Sequence, residues 1–145
     1  MTIRHEQDFY LWTQQQANAL KAGNLADVDM QHLAEEIESM GSSEKRELGN
    51  RLSVLIAHLL KWQHQPVRRG NSWRLTIQNQ RDDIQDLLED SPSLKLEMKK
   101  RMEKAYIRAR RMASLEIGLA ESDFPVECPF TLDEMLLNPD FWPGE

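Results

Sequence analysis

The sequence predicts an all-α protein: an antiparallel up-and-down bundle of about five helices, finished by an extended C-terminal strap containing one short helix. Three observations support this. Apolar residues recur three and four positions apart through most of the 145 residues, the spacing of one helix face. No stretch alternates with period two for long enough to read as a strand. Capping residues, glycines and prolines fall between the periodic segments, and short links between amphipathic helices favour antiparallel neighbours.

The first helix is expected to start at Phe9 behind Asp8 as its cap, to carry Trp12, Thr13, Gln16 and Leu20 on one side, and to stop at Gly23. Asp29 caps the second, where Met30, Leu33, Ile37 and Met40 form an inward stripe that Gly41 interrupts. Ser42 or Ser43 restarts a third helix with the strongest periodicity in the chain, Leu48, Leu52, Leu55, Leu59 and Trp62, and Pro66 stops it. Asn71 or Ser72 caps a fourth, with Trp73, Ile77, Gln80, Ile84 and Leu88 on one side. Ser91-Pro92 opens the fifth, since proline fits the first helical position. Its inward residues are Leu94, Met98, Met102, Ala105, Ala109 and Met112, and it ends near Gly118. Residues 119–145 hold four of the six prolines and no lysine or arginine. Thr131 and Glu134 form a capping box for one short helix there, and Phe124, Phe130, Phe141 and Trp142 anchor the rest.

This length suits one domain, 1–145, with residues 118–145 packed on the bundle as a tail. The only cysteine, Cys128, excludes an internal disulfide framework and fits a reducing compartment. The first residues contain no apolar stretch of signal-peptide length, and the longest greasy run, VLIAHLL, is too short to span a bilayer. A soluble, cytoplasmic protein with no membrane contact is expected. The net charge of −6 is polarised: 5 basic and 9 acidic residues in 1–60, 13 and 7 in 61–111, 0 and 8 in 112–145. A basic middle can hold an anionic partner or the chain's own acidic tail.

The richest stretch is HLLKWQHQPVRRGNSW, His58 to Trp73, at the junction of two helices. The expected binding surface is this corner and its basic rim: His58, Lys61, Trp62, Arg68, Arg69, Trp73 and Arg74. Arginine stacks well on indole, and both residue types are enriched at binding hot spots. The plainer reading is a turn set by proline and glycine, with the tryptophans packed on each other. Gln80, an amide within an apolar stripe, is expected to bond another helix.

No catalytic set is visible: there is no Gly-rich phosphate loop, no nucleophile elbow, and Cys128 lacks a nearby base. His58, on the border of its stripe, can act as base or ligand. His32 and Glu36 share a helix face and, with His58, are the candidates for a metal, although the carboxylate-bridged bundles use Glu-x-x-His on two helices. No cofactor is expected. Lys100, Lys104, Arg108 and Arg111 make a ridge on the fifth helix that could follow a nucleic-acid backbone, but Glu97 and Glu103 interrupt it and the pI is about 5.3.

The succession DFYLW, LAEEIESMG, LIAHLLKWQHQP, SWRLTIQNQR, SPSL, FPVECPFTLDEML and DFWP resembles the bacterial family called domain of unknown function twenty-nine, over nearly the whole chain. Its pattern falls on Asp8, Phe9, Trp12, Glu36, His58, Lys61, Trp62, Gln65, Pro66, Ser72, Trp73, Arg81, Pro92, Ser93, Leu94, Pro125, Pro129 and Trp142. The resemblance implies an all-helical up-and-down bundle in a bacterial cytoplasm, and no biochemical activity. The functional expectation is therefore a small helical interaction module, acting on a protein partner or through self-association, without catalysis. The alternatives are a metal-dependent or enzymatic bundle using His58 and Glu36, and nucleic-acid binding through the fifth helix.

Overall fold

The computed structural model describes residues 4–144, and among them the all-α class holds, with four α-helices, one π-helical turn and no strand. The helices are α1 (Phe9–Ala22), α2 (Met30–His64), α3 (Asn71–Asp90) and α4 (Leu94–Ile117), and the π turn is Leu132–Leu136. No helix among the described residues is long and apolar enough to cross a membrane. Packing divides the chain into two compact units between Ser43 and Glu44, a point inside α2.

In the first unit Asp8 accepts the Leu11 N–H at 3.0 Å and caps α1. Gly23, at φ 71°, ends it in the left-handed conformation, with Asn24 N–H returning to the Ala19 carbonyl at 2.9 Å. The buried Gln16 takes the Asp29 N–H at 2.6 Å and donates to the Asp27 carbonyl at 3.3 Å, which fixes where α2 starts. Asp29 then caps α2 through the His32 N–H, 3.3 Å away.

Helix α2 corrects two expectations. It runs unbroken through Gly41, so the second and third predicted helices are one. An isolated helical glycine costs about 1 kcal/mol against alanine and does not by itself end a helix. The stripe at its start is also mostly not inward: Leu33 is half-buried, but Met30, Ile37 and Met40 are exposed. Within this unit α1 offers Trp12, Gln16 and Ala19 as its buried side, and no residue of α2 before Leu48 is buried.

In the second unit α2 and α3 run antiparallel: Arg51 meets Asp83 at 2.8 Å and Gln80 at 3.4 Å, while Trp62 lies beside Arg74. The bond to Gln80 is the interhelical one expected of a polar residue within that stripe. Helices α2 and α4 run parallel, since Lys45–Glu97 and the Ser53 hydroxyl to the Ala105 carbonyl (3.2 Å) advance together along both. The core comes from Leu48, Leu52, Leu55 and Leu59 on α2, Ile77 and Ile84 on α3, and Met98 on α4. Ala105, Ala109 and Ala113 line the α4 contact, where small side chains let backbones approach. The first turn around Pro92 closes with i→i+3 bonds, so α4 begins at Leu94. The tail adds Phe124, Phe130 and Leu136 to the core. Its short helix is present, but the Thr131 side chain makes no capping bond, and the Thr131 N–H points at Met135 Sδ, 3.4 Å away.

Candidate functional site

The corner between α2 and α3 is built by its sequence. Pro66 has no N–H to continue α2, a 3₁₀ turn over Pro66–Arg68 follows, and α3 begins at Asn71. Trp62 ends on the inside of this elbow, only 1% exposed, with Trp73 half-buried. Sequence reasoning placed an open indole here, and the reason it is closed is the tail. The Trp142 ring packs 4.8 Å from the Trp62 ring and lies over the elbow.

Three arginines wedge around these indoles. The Arg74 guanidinium sits 5.1 Å from the Trp62 ring and 5.0 Å from the Trp142 ring. Arg69 lies 5.4 Å from the Trp62 ring, donating to the Trp62 carbonyl at 2.7 Å and to the Pro143 carbonyl at 3.4 Å. Arg81, 4% exposed, donates to the Leu136 and Met135 carbonyls, both at 2.9 Å, with its guanidinium 5.6 Å from the Trp142 ring. Burial pulls the Arg81 guanidinium below its ordinary value, yet arginine stays cationic in proteins.

Two features of this cluster are unusual. No carboxylate pairs with Arg68, Arg69, Arg74 or Arg81 among the described residues, although ion pairs form elsewhere in this unit. Two buried donors, Trp62 Nε1 and Arg81 Nη1, also find no acceptor. Most buried donors are paired, so each orphan needs an explanation. Neither Arg81 nor Trp142 was among the expected binding residues. The signal that could have found them was a cation on the edge of the α3 stripe and an aromatic FWP run at the chain's end.

The remaining expected binding residues divide. Lys61 is not part of an open rim: it is 4% exposed, its ammonium pairs with Glu116 and lies 5.1 Å from the Trp73 ring. A long side chain on a helix's inner border reaches out by its tip only. His58 donates Nδ1–H to the Val54 carbonyl at 2.9 Å, and its Nε2 faces Lys61 Nζ at 3.3 Å. Burial, aided by the Lys61 ammonium, pulls His58 below its ordinary value, against the Val54 carbonyl and Glu116. What stays open is the outer side of the elbow: Arg68, Arg74, the edge of Trp73, and Val67.

Of the metal candidates, Glu36 belongs to the first unit and His58 to the second, and each is engaged within its own unit. Glu36 lies 2.6 Å from His5 Nε2, and His32 lies between Asp29 and Glu6. On α4, Lys100 pairs with Glu97 and Arg111 with Glu121, so the basic ridge is partly neutralised. Burial raises the Cys128 thiol above its ordinary value, which leaves it a poor nucleophile.

A family model described as "Domain of unknown function DUF29" matches residues 5–142. No curated protein and no solved structure matches.

Proposed function

The chain belongs to the family described as domain of unknown function DUF29, and from that premise we propose that it is a helical binding module whose α2–α3 elbow receives an acidic segment of a protein partner. The supporting observation is the cluster of arginines around Trp62 and Trp142 with no carboxylate among the described residues, of which Arg68 and Arg74 reach the surface. A carboxylate supplies what such a cluster lacks, because charge-assisted bonds to guanidinium are strong and directional. Arg74 and the Trp73 edge offer the partner a hot-spot pairing at the rim, and Val67, 95% exposed, offers it an apolar contact.

The test uses Arg68→Glu and Arg74→Glu together. Arg69 is left alone because it ties the Trp62 and Pro143 carbonyls. Cross-linked capture from the source cells should recover a protein whose acidic segment is joined to residues of the elbow, and the double variant should lose it. Because Arg74 also packs between the Trp62 and Trp142 rings, Arg68→Glu alone, at an exposed side chain, is the variant that should weaken capture with the fold and thermal midpoint unchanged. A partner retained equally by both variants, or cross-links confined to other faces, would sink the proposal.

A further inference from the structure

His5 and His32 stack face to face in the first unit, with ring centroids 4.7 Å apart and planes within 10°. Carboxylates surround them. Glu36 Oε1 lies 2.6 Å from His5 Nε2, Glu6 Oε1 lies 3.1 Å from His32 Nε2, and Asp29 Oδ2 lies 2.7 Å from His32 Nδ1. One donor atom each from His5, Glu6 and His32 falls within 4.8 Å of the others. These residues come from two places, the segment just before the Asp8 cap and the first two turns of α2.

We propose that this cluster is a site for a divalent transition-metal ion of the zinc class, held by His5, Glu6 and His32 with the fourth position left to water. Donor accounting leaves a place for a cation. A neutral imidazole has one N–H, so His32 can donate to one carboxylate and not to both Asp29 and Glu6. With its Nδ1–H given to Asp29, the Nε2 lone pair faces a carboxylate oxygen, a repulsive contact that a cation between them turns into two bonds. One extra proton on His32 alone serves the same contacts, with neutral His5 giving its N–H to Glu36. Zinc therefore competes with that proton for the cluster.

The ligand set also fits the ion. Two imidazoles and one carboxylate are a borderline-soft, three-donor set of the kind zinc takes with a fourth position open, and to aim both ring nitrogens at one ion about 2.0–2.2 Å away the two rings turn out of their parallel stack. Asp29, gripping the far nitrogen of His32, is the outer partner that fixes tautomer and ring direction in metal-bound histidines. His5 is oriented by edge contacts to Phe9 and Trp12, with centroids 5.2 and 4.7 Å away. The donors come from both places, so the ion acts as a staple between the segment before α1 and the start of α2. The site lies in the first unit and does not depend on the elbow.

Protein carrying no polyhistidine tag and stripped with a chelator should take up about one zinc ion per chain in calorimetric titration. Its thermal midpoint should rise with zinc concentration, since a ligand that binds the folded state stabilises it. His5→Gln and His32→Gln should each weaken binding by about tenfold or more, in line with losses at supporting partners of metal ligands, while His64→Gln, whose ring bonds only the Leu60 carbonyl and packs on Phe124, should leave it unchanged. Should a histidine variant fold poorly, Glu6→Gln at an exposed position gives the same reading, and cobalt substituted into the unaltered protein should show the visible absorption of a low-coordinate nitrogen–oxygen site. No uptake by the unaltered protein, or uptake that survives the His5→Gln, His32→Gln pair, overturns the proposal.

Discussion

His58 shows how one buried proton position shapes the molecule. Its Nδ1–H is given to Val54, and its Nε2 accepts from Lys61, whose ammonium also serves Glu116. A second proton on this ring would face that ammonium in a partly dry setting, so the folded chain disfavours it. The unfolded chain, with an ordinary histidine near 6.5, takes the proton first as pH falls. Stability contributed here is therefore complete above about 6.5 and declines as pH drops toward the lowered folded value, by at most about 1.4 kcal/mol per pH unit for one proton. His32 has the opposite sign, because its bond to Asp29, outweighing burial, raises it. The difference between unaltered protein and His58→Gln, measured by denaturation from pH 7.5 to 5 with chelator present, separates the two. We expect the acid-side slope to flatten in the variant; an unchanged slope would show that His58 does not titrate against Lys61. That this histidine sits on a helix border was legible in the spacing. It could not reveal Lys61 as the neighbour that matters, since helical spacing assigns a face and not the direction of a four-carbon side chain.

Within α2 the same reasoning applies to a whole element. Gly41 has no neighbour within 4 Å of where a Cβ would stand, and its φ is not in the left-handed region. Helix interiors favour alanine over glycine by about 0.5–1 kcal/mol, mostly through the freedom glycine has in the unfolded chain. Gly41→Ala should thus raise stability by about that amount and increase the thermal midpoint; a destabilised variant would mean that α2 bends or breaks at this residue. Gly23, at φ 71°, is the opposite case. Caps and stops of this kind were legible beforehand because they act locally: Asp8, Asp29, Gly23 and Pro66 all sit where the spacing put them. The fate of the two apolar stripes of α2 was not. Met30, Ile37 and Met40 repeat at the same intervals as Leu48, Leu52, Leu55 and Leu59, yet the first set is exposed and the second is core. Periodicity reports which side of a helix is greasy and is silent on how many neighbours arrive to cover it. For the same reason the stacking of His5 on His32 was invisible, because its members are joined only after α1 has folded back toward the start of α2.

Across the molecule, two features of the sequence offer explanations for how the tail is held: its acidic residues facing a basic middle, and its aromatic anchors. Ion pairs do form, Lys95 with Asp133 at 2.8 Å and Arg111 with Glu121 at 3.7 Å. Both are solvent-exposed, and such pairs contribute about 0–1 kcal/mol each. The tail's stronger hold is elsewhere. Phe124, Phe130 and Leu136 are buried in the main core, Tyr106 donates its hydroxyl to the Pro125 carbonyl, and Arg81 bonds two tail carbonyls from inside. Magnitudes then decide between the explanations. Phe130→Ala should cost about 3 kcal/mol or more, in the range for a buried aromatic, whereas Asp133→Asn with Glu121→Gln should stay within about 1 kcal/mol. Raising salt to about 1 M, where screening acts over roughly 3 Å, should leave the unaltered chain nearly as stable as before. If salt or the charge variants instead loosened the tail as much as loss of Phe130, the acidic end would be an electrostatic clasp, and Trp142 would cover the elbow only at low ionic strength. That outcome bears on binding as well. With an apolar strap, Trp142 remains part of the receiving surface whatever the salt, and only the partner's acidic segment competes with ions.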